Sequence, residues 1–81
     1  MAAFFLFACT FPVEPRASCA AYVTCVEARD ARDGTSTDVV RFTPEGDCWT
    51  TARGADLCDR SCVSGLTFLR ERDASLPEAC R

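Results

Sequence analysis

The chain opens with eight apolar residues, Met-Ala-Ala-Phe-Phe-Leu-Phe-Ala, and turns polar beyond Cys9, with Thr10, Glu14 and Arg16. Past that break the apolar positions recur with helical spacing. Tyr22, Val23 and Val26 follow Cys19 at offsets of three, four and seven, one stripe of an amphipathic helix, and Ser18 stands where an N-cap hydroxyl belongs. The pattern predicts helix 1 over residues 18–30. Asp30 to Thr37 is rich in Asp, Gly, Ser and Thr, so the chain turns there.

Val39, Val40 and Phe42 form a short apolar patch, read as a helical turn capped by Thr37 in preference to a piece of strand. Pro44-Glu45-Gly46-Asp47 is a turn signal with proline leading and glycine two residues on. Cys58, Cys62, Leu66 and Leu69 then recur at four, four and three residues, an unbroken apolar face behind Thr50 or Thr51 as cap. Helix 2 is expected from about Ala52 to Asp73. Gly54 and Gly65 weaken it by roughly 1 kcal/mol each relative to alanine, so packing and crosslinks have to hold it. Pro77 forbids continuation, which leaves Leu76 to Arg81 as a tail carrying Cys80. The expected fold is all-α: a small disulfide-stapled helical hairpin with room for a short third helix between the two main ones.

Size sharpens this picture. With 81 residues there is one domain, and a chain so short buries only about 60% of its unfolded surface, so it needs disulfides, a metal or a partner. Seven cysteines are the obvious staples. Nine arginines and no lysine stand against twelve carboxylates, a net charge of −3, so nucleic acid is excluded as a partner. Histidine is absent, which removes the commonest general base and metal ligand. No catalytic constellation stands out. Asp56 and Asp59 could in principle do acid and base work, but they lie where a helix amino terminus attracts negative charge anyway.

The leading apolar run is too short to span a bilayer, which takes roughly 20 residues, but matches the apolar region of a signal peptide. Leu6-Phe7-Ala8-Cys9 resembles the bacterial lipobox, whose cysteine receives a diacylglyceryl group and becomes residue one after the leader is removed. Cysteine arithmetic agrees. Seven is odd, and acylating Cys9 leaves Cys19, Cys25, Cys48, Cys58, Cys62 and Cys80 for three disulfides. The expected organisation is a leader over 1–8, a lipidated cysteine and extended tether over 9–18, and a disulfide-bonded helical domain over 19–81. From Thr10 to Ser18, at about 3 Å per residue, the tether would reach some 25 Å.

Cys58 and Cys62 share a helix face, whereas Cys19 and Cys25, six residues apart, differ by about 120° around theirs. Antiparallel helices favour Cys25 with Cys58 and Cys19 with Cys62, leaving Cys48 with Cys80. A rival solution joins Cys25 to Cys48, Cys19 to one helix 2 cysteine and Cys80 to the other. Zinc would need two arms of closely spaced ligands, and only Cys58 and Cys62 qualify. Redox exchange would want Cys-x-x-Cys near a helix start, which is absent. Trp49, beside Cys48, reads as core packed on a disulfide or as an exposed anchor for a partner.

Cys19-Ala-Ala-Tyr22-Val-Thr-Cys25, Gly46-Asp-Cys48-Trp49, Cys58-Asp-Arg-Ser-Cys62 and Leu76-Pro-Glu-Ala-Cys80, behind a lipobox-like Cys9, resemble small cysteine-rich lipoproteins of myxobacteria. The resemblance covers nearly the whole chain. It implies an extracytoplasmic, helical, disulfide-bonded protein anchored by lipid to the cell envelope, with no assigned activity, no catalytic residues and no cofactor. The expected function is a non-enzymatic structural or binding module held on membrane lipid through acylated Cys9, its protein partner or ligand unknown. The alternative is a secreted disulfide-rich effector, a toxin or inhibitor, without the anchor.

Overall fold

The computed structural model describes residues 13–81. The fold is a small disulfide-stapled all-α domain. Two α-helices, α1 (Ala17–Asp33) and α2 (Ala52–Arg72), pack against each other. Three 3₁₀ turns, Val40–Phe42, Asp47–Thr50 and Glu78–Cys80, complete the regular structure of the described residues.

α1 starts one residue earlier than expected and runs three residues longer. Its N-cap is Arg16, in extended backbone behind Pro15, and Ser18 lies inside the first turn. At the other end Gly34 takes the left-handed conformation, φ 70°, that commonly closes a helix. Asp30 holds that end together. Its carbonyl accepts from Thr35 N–H at 3.0 Å, and its carboxylate accepts from the Thr35 hydroxyl and from both the N–H and hydroxyl of Thr37. Thr37 is thereby engaged with α1 and is not the cap of the next turn; Asp38 accepts from Val40 N–H at 3.1 Å instead. The apolar patch Val40–Phe42 is a 3₁₀ turn, the short third helical element between the two main helices.

Pro44 and Gly46 form the expected reversal, closed by Gly46 N–H donating to Thr43 carbonyl at 2.8 Å. A side chain at Gly46 would sit 2.1 Å from the Arg41 carbonyl oxygen, so the turn tolerates only glycine. Thr51 is the cap of α2, its hydroxyl accepting from Gly54 N–H at 2.9 Å. The buried face of α2 is Ala55, Cys58, Cys62 and Leu66, with Leu69 partly covered.

Two small apolar clusters make the core. One holds Cys19, Cys48, Trp49, Ala55, Cys58 and Cys62; the other holds Cys25, Leu66, Leu76 and Cys80. Tyr22 packs against both, edge-on to Phe42 with ring centroids 5.6 Å apart. Gly65 makes room for it. A Cβ there would lie 2.6 Å from Tyr22 Cε1, so the glycine that costs helix propensity is where the α2 backbone meets a ring.

The disulfides correct the expected map. Cys19 joins Cys62, as expected, but Cys25 joins Cys80 and Cys48 joins Cys58; the pairs Cys25–Cys58 and Cys48–Cys80 do not form. The 120° offset along α1 is the cause. Cys19 meets α2 at Cys62, while Cys25, packed beside Leu66 of α2, bonds the tail, where Leu76 and Cys80 are buried in the same cluster. Cys48, in the 3₁₀ turn that leads into α2, is then close to Cys58 two helical turns on, with Cα atoms 6.0 Å apart. The rival map fails for the same reason, because the loop cysteine lies at the amino end of α2 and not beside Cys25.

Crosslink strength follows loop length. Cys48–Cys58 closes 10 residues, worth about 2.7 kcal/mol in the chain-entropy model. The bridges spanning 43 and 55 residues overlap. With one already closed, the other closes a loop of only about 24 residues, worth about 3.5 kcal/mol. Replacing Cys25 and Cys80 together by serine should therefore lower unfolding free energy more than replacing Cys48 and Cys58, measured by urea melts of each double variant. A second outcome concerns Gly65→Ala. Ordinary helix propensity would add about 1 kcal/mol of stability, but crowding Tyr22 costs about 1–3 kcal/mol, so the variant should melt below the parent.

Candidate functional site

Among the described residues every cysteine is half of a disulfide, and no three His, Cys, Asp or Glu side chains gather as a metal site. Cys9, the residue proposed to carry lipid, lies outside the described residues, as does the leader over 1–8. Trp49 is only 3% exposed, and its indole Nε1–H donates to the Thr43 carbonyl at 2.9 Å. It is core, with no ring face for a partner. That corrects the anchor reading: the turn Pro44–Gly46 folds Thr43 back over the indole and satisfies its one donor.

Asp56 and Asp59 are brought together, but by a structural partner. Arg16 bonds Asp56 at 2.7 Å and reaches Asp59 at 3.8 Å, while the Ser18 hydroxyl donates to Asp59. Val13 N–H donates to the Trp49 carbonyl at 3.1 Å. The segment expected to be an extended tether is therefore fixed to the domain from Val13 onward, by one backbone bond and an ion-pair cluster, and residues 17 and 18 are helical. Nothing in the spacing of Val13, Arg16 and Ser18 announces this, because all three partners lie more than 30 residues away.

A groove opens beside that fixed segment. Pro15, Ala20, Val23 and Thr24 form one wall and Phe42, Thr43 and Pro44 the other, around a volume of about 200 Å³. Its walls are mainly apolar, and its only polar side chains are two threonines. Such a surface can hold apolar matter and lacks the convergent charged groups that acid–base or metal chemistry requires.

At the opposite end a second polar cluster latches the tail. Arg32 donates to the Asp73 carboxylate at 2.8 Å and to the Ser75 carbonyl at 2.6 Å, and pairs with Asp33 at 2.7 Å. Arg70 donates to the Cys80 carbonyl at 2.6 Å and Arg81 to the Leu76 carbonyl at 3.3 Å. The Arg32 guanidinium, aided by two hydrogen bonds from Ser75, holds the Asp73 carboxyl at about 2, below its ordinary 3.8. Asp33 is lowered by Arg32 in the same way, and Asp30 chiefly by the Thr35 hydroxyl. Comparison with family models, curated proteins and solved structures finds no match.

A carboxyl with a depressed folded-state pKa stabilises the fold above its unfolded pKa, and that contribution is lost as pH falls through the folded value. For Asp73 the window runs from about 3.8 down to about 2. Melting temperature should fall across that window, and Asp73→Asn should flatten the profile, recorded by circular dichroism at fixed ionic strength.

Proposed function

We propose that this protein is a non-enzymatic lipoprotein of the bacterial cell envelope, anchored through acylated Cys9, with its disulfide domain serving as a structural or binding module. The single observation that carries this is the pairing of the other six cysteines among themselves. Three disulfides suit an oxidising compartment, and the one cysteine outside them follows an apolar run with a leucine three residues before it. A thiol in that compartment is a liability unless it carries chemistry of its own. A thioether-linked diacylglyceryl group supplies it, and more than one acyl chain makes anchoring stable. The resemblance to cysteine-rich myxobacterial lipoproteins points the same way.

The non-enzymatic reading rests on the site. The clustered carboxylates are engaged by Arg16 and Arg32, and the groove is walled by apolar side chains and two threonines. In a host that processes lipoproteins, labelled palmitate should enter the protein and the label should vanish in Cys9→Ser. Absence of label from the parent, with protein in the culture fluid and an amino terminus beyond Cys9, would assign it to the secreted effectors instead.

A further inference from the structure

We infer that the apolar groove between Pro15 and Pro44, together with the exposed Val40 beside it, is a bilayer-contacting surface, and that the domain lies with this end against the lipid. The inference rests on the anchor reading, and covalent reach carries it further. Val13 is fixed to the Trp49 carbonyl, and Arg16 to Asp56. Cys9 and Val13 stand four positions apart. Fully extended, four residues span at most about 14 Å, so an acyl chain on Cys9 leaves the domain no room to stand off from the headgroups.

Within that reach, beside the Arg16–Asp56–Asp59 cluster, lies an apolar groove. Pro15, two residues past the fixed Val13, forms part of the groove wall, and Val13 and Phe42 pack against one core cluster. Val40, in the same turn as Phe42, is 63% exposed. Proline rings and valine side chains around an open groove fit the acyl–headgroup boundary, where apolar faces bury about 5–10 Å. Arg41, in that turn, has its guanidinium 5.9 Å from the Phe42 ring centre and pairs with Asp47 at 3.7 Å, the posture of a long side chain keeping its charge in water.

The charges nearby decide what kind of lipid contact this is. Glu14 and Glu45 adjoin the lining residues Pro15 and Pro44 in sequence, the Arg41–Asp47 pair is balanced, and Arg16 is engaged by Asp56, so no uncompensated positive charge marks the groove. Attraction to anionic headgroups is therefore not the driving force, and apolar burial is. Leu57, 57% exposed, lies five residues into α2, roughly 8 Å from the end beside Val13, and belongs to the same end of the domain. Phe68, 54% exposed, lies 16 residues into α2, roughly 24 Å along its axis from the end beside Val13, with the Arg72 guanidinium 4.8 Å from its ring centre.

The test tethers the full chain to vesicles of phosphatidylcholine through Cys9, using maleimide lipid on unacylated protein, so it does not depend on natural acylation. Two variants place a tryptophan at exposed positions, Val40→Trp near the groove and Phe68→Trp far from it; native Trp49 gives the background. With bromine on the lipid acyl chains, the variant at position 40 should lose most of its added emission and shift to the blue, whereas the variant at 68 should be little affected. Raising salt should leave both unchanged. Equal quenching at both positions, quenching at 68 alone, none at either, or loss of quenching at high salt would overturn the proposal. A blue shift at position 40 without bromine quenching would also overturn it, since protein, either the leader or a second copy, would then fill the groove. Failure of palmitate labelling with groove quenching intact would instead remove the natural anchor and leave the surface standing.

Discussion

Cys19 and Cys25 stand six positions apart, and this interval governs the architecture. On an α-helix it turns the two sulfurs about 120° apart, so α1 has two crosslinked faces. One is bound to α2 through Cys62 and the other to the tail through Cys80. Both α1 cysteines are fully buried, one in each apolar cluster, and Tyr22 spans the gap between them. The clusters are too small to order the chain by hydrophobic burial alone, so constraint of the unfolded chain has to contribute much of the difference. Gly65 belongs to this arrangement: α2 can close on Tyr22 only because that position lacks a side chain.

The two ends of the domain are finished by arginines. Arg16 ties the incoming chain to Asp56, and Arg32 on α1 holds the outgoing chain at Asp73 and Ser75. A guanidinium suits both tasks, since its planar fork can satisfy a carboxylate and a carbonyl at once. Lysine, absent from this chain, would offer a single point of charge. These pairs are partly exposed, so each contributes modestly. Their larger effect is positional: they fix where the polypeptide joins the domain and where it leaves, and the crosslinks do the same for the helices.

Much of the fold was legible because it rests on local rules. Both helices, the Thr51 cap, the Pro44–Gly46 reversal and the apolar face of α2 follow from periodicity and turn chemistry over a few residues. The Cys19–Cys62 bridge followed from helix geometry. The same geometry favoured Cys25 with Cys58, which assumes that both α1 cysteines reach α2, and Cys48 with Cys80 followed by elimination. The offset that argued against this was visible in the spacing, but the burial of Leu76 that draws the tail onto α1 was not. Likewise Val13 to Ser18 reads as linker in composition, and its partners at Trp49, Asp56 and Asp59 are distant contacts that no window of residues contains. Trp49 was open between core and anchor because the residue that decides, the Thr43 carbonyl, is a backbone group.

Fixing the incoming chain has a consequence for how such a domain can meet its surroundings. A loose tether would let any face turn outward, and exposed apolar residues further along α2, such as Val63 and Phe68, would compete with the groove for contact. A chain bound down at Val13 and Arg16 removes that freedom. Orientation then depends on the few residues between Cys9 and Val13 rather than on the affinity of any one patch, and a shallow apolar groove needs only modest affinity because its local concentration is set by the short connection. The charges beside the groove support the same division of labour. Glu14 and Glu45 add no electrostatic attraction to an anionic surface, so under the proposed anchoring at Cys9, holding would fall to the lipid and the choice of face to the groove.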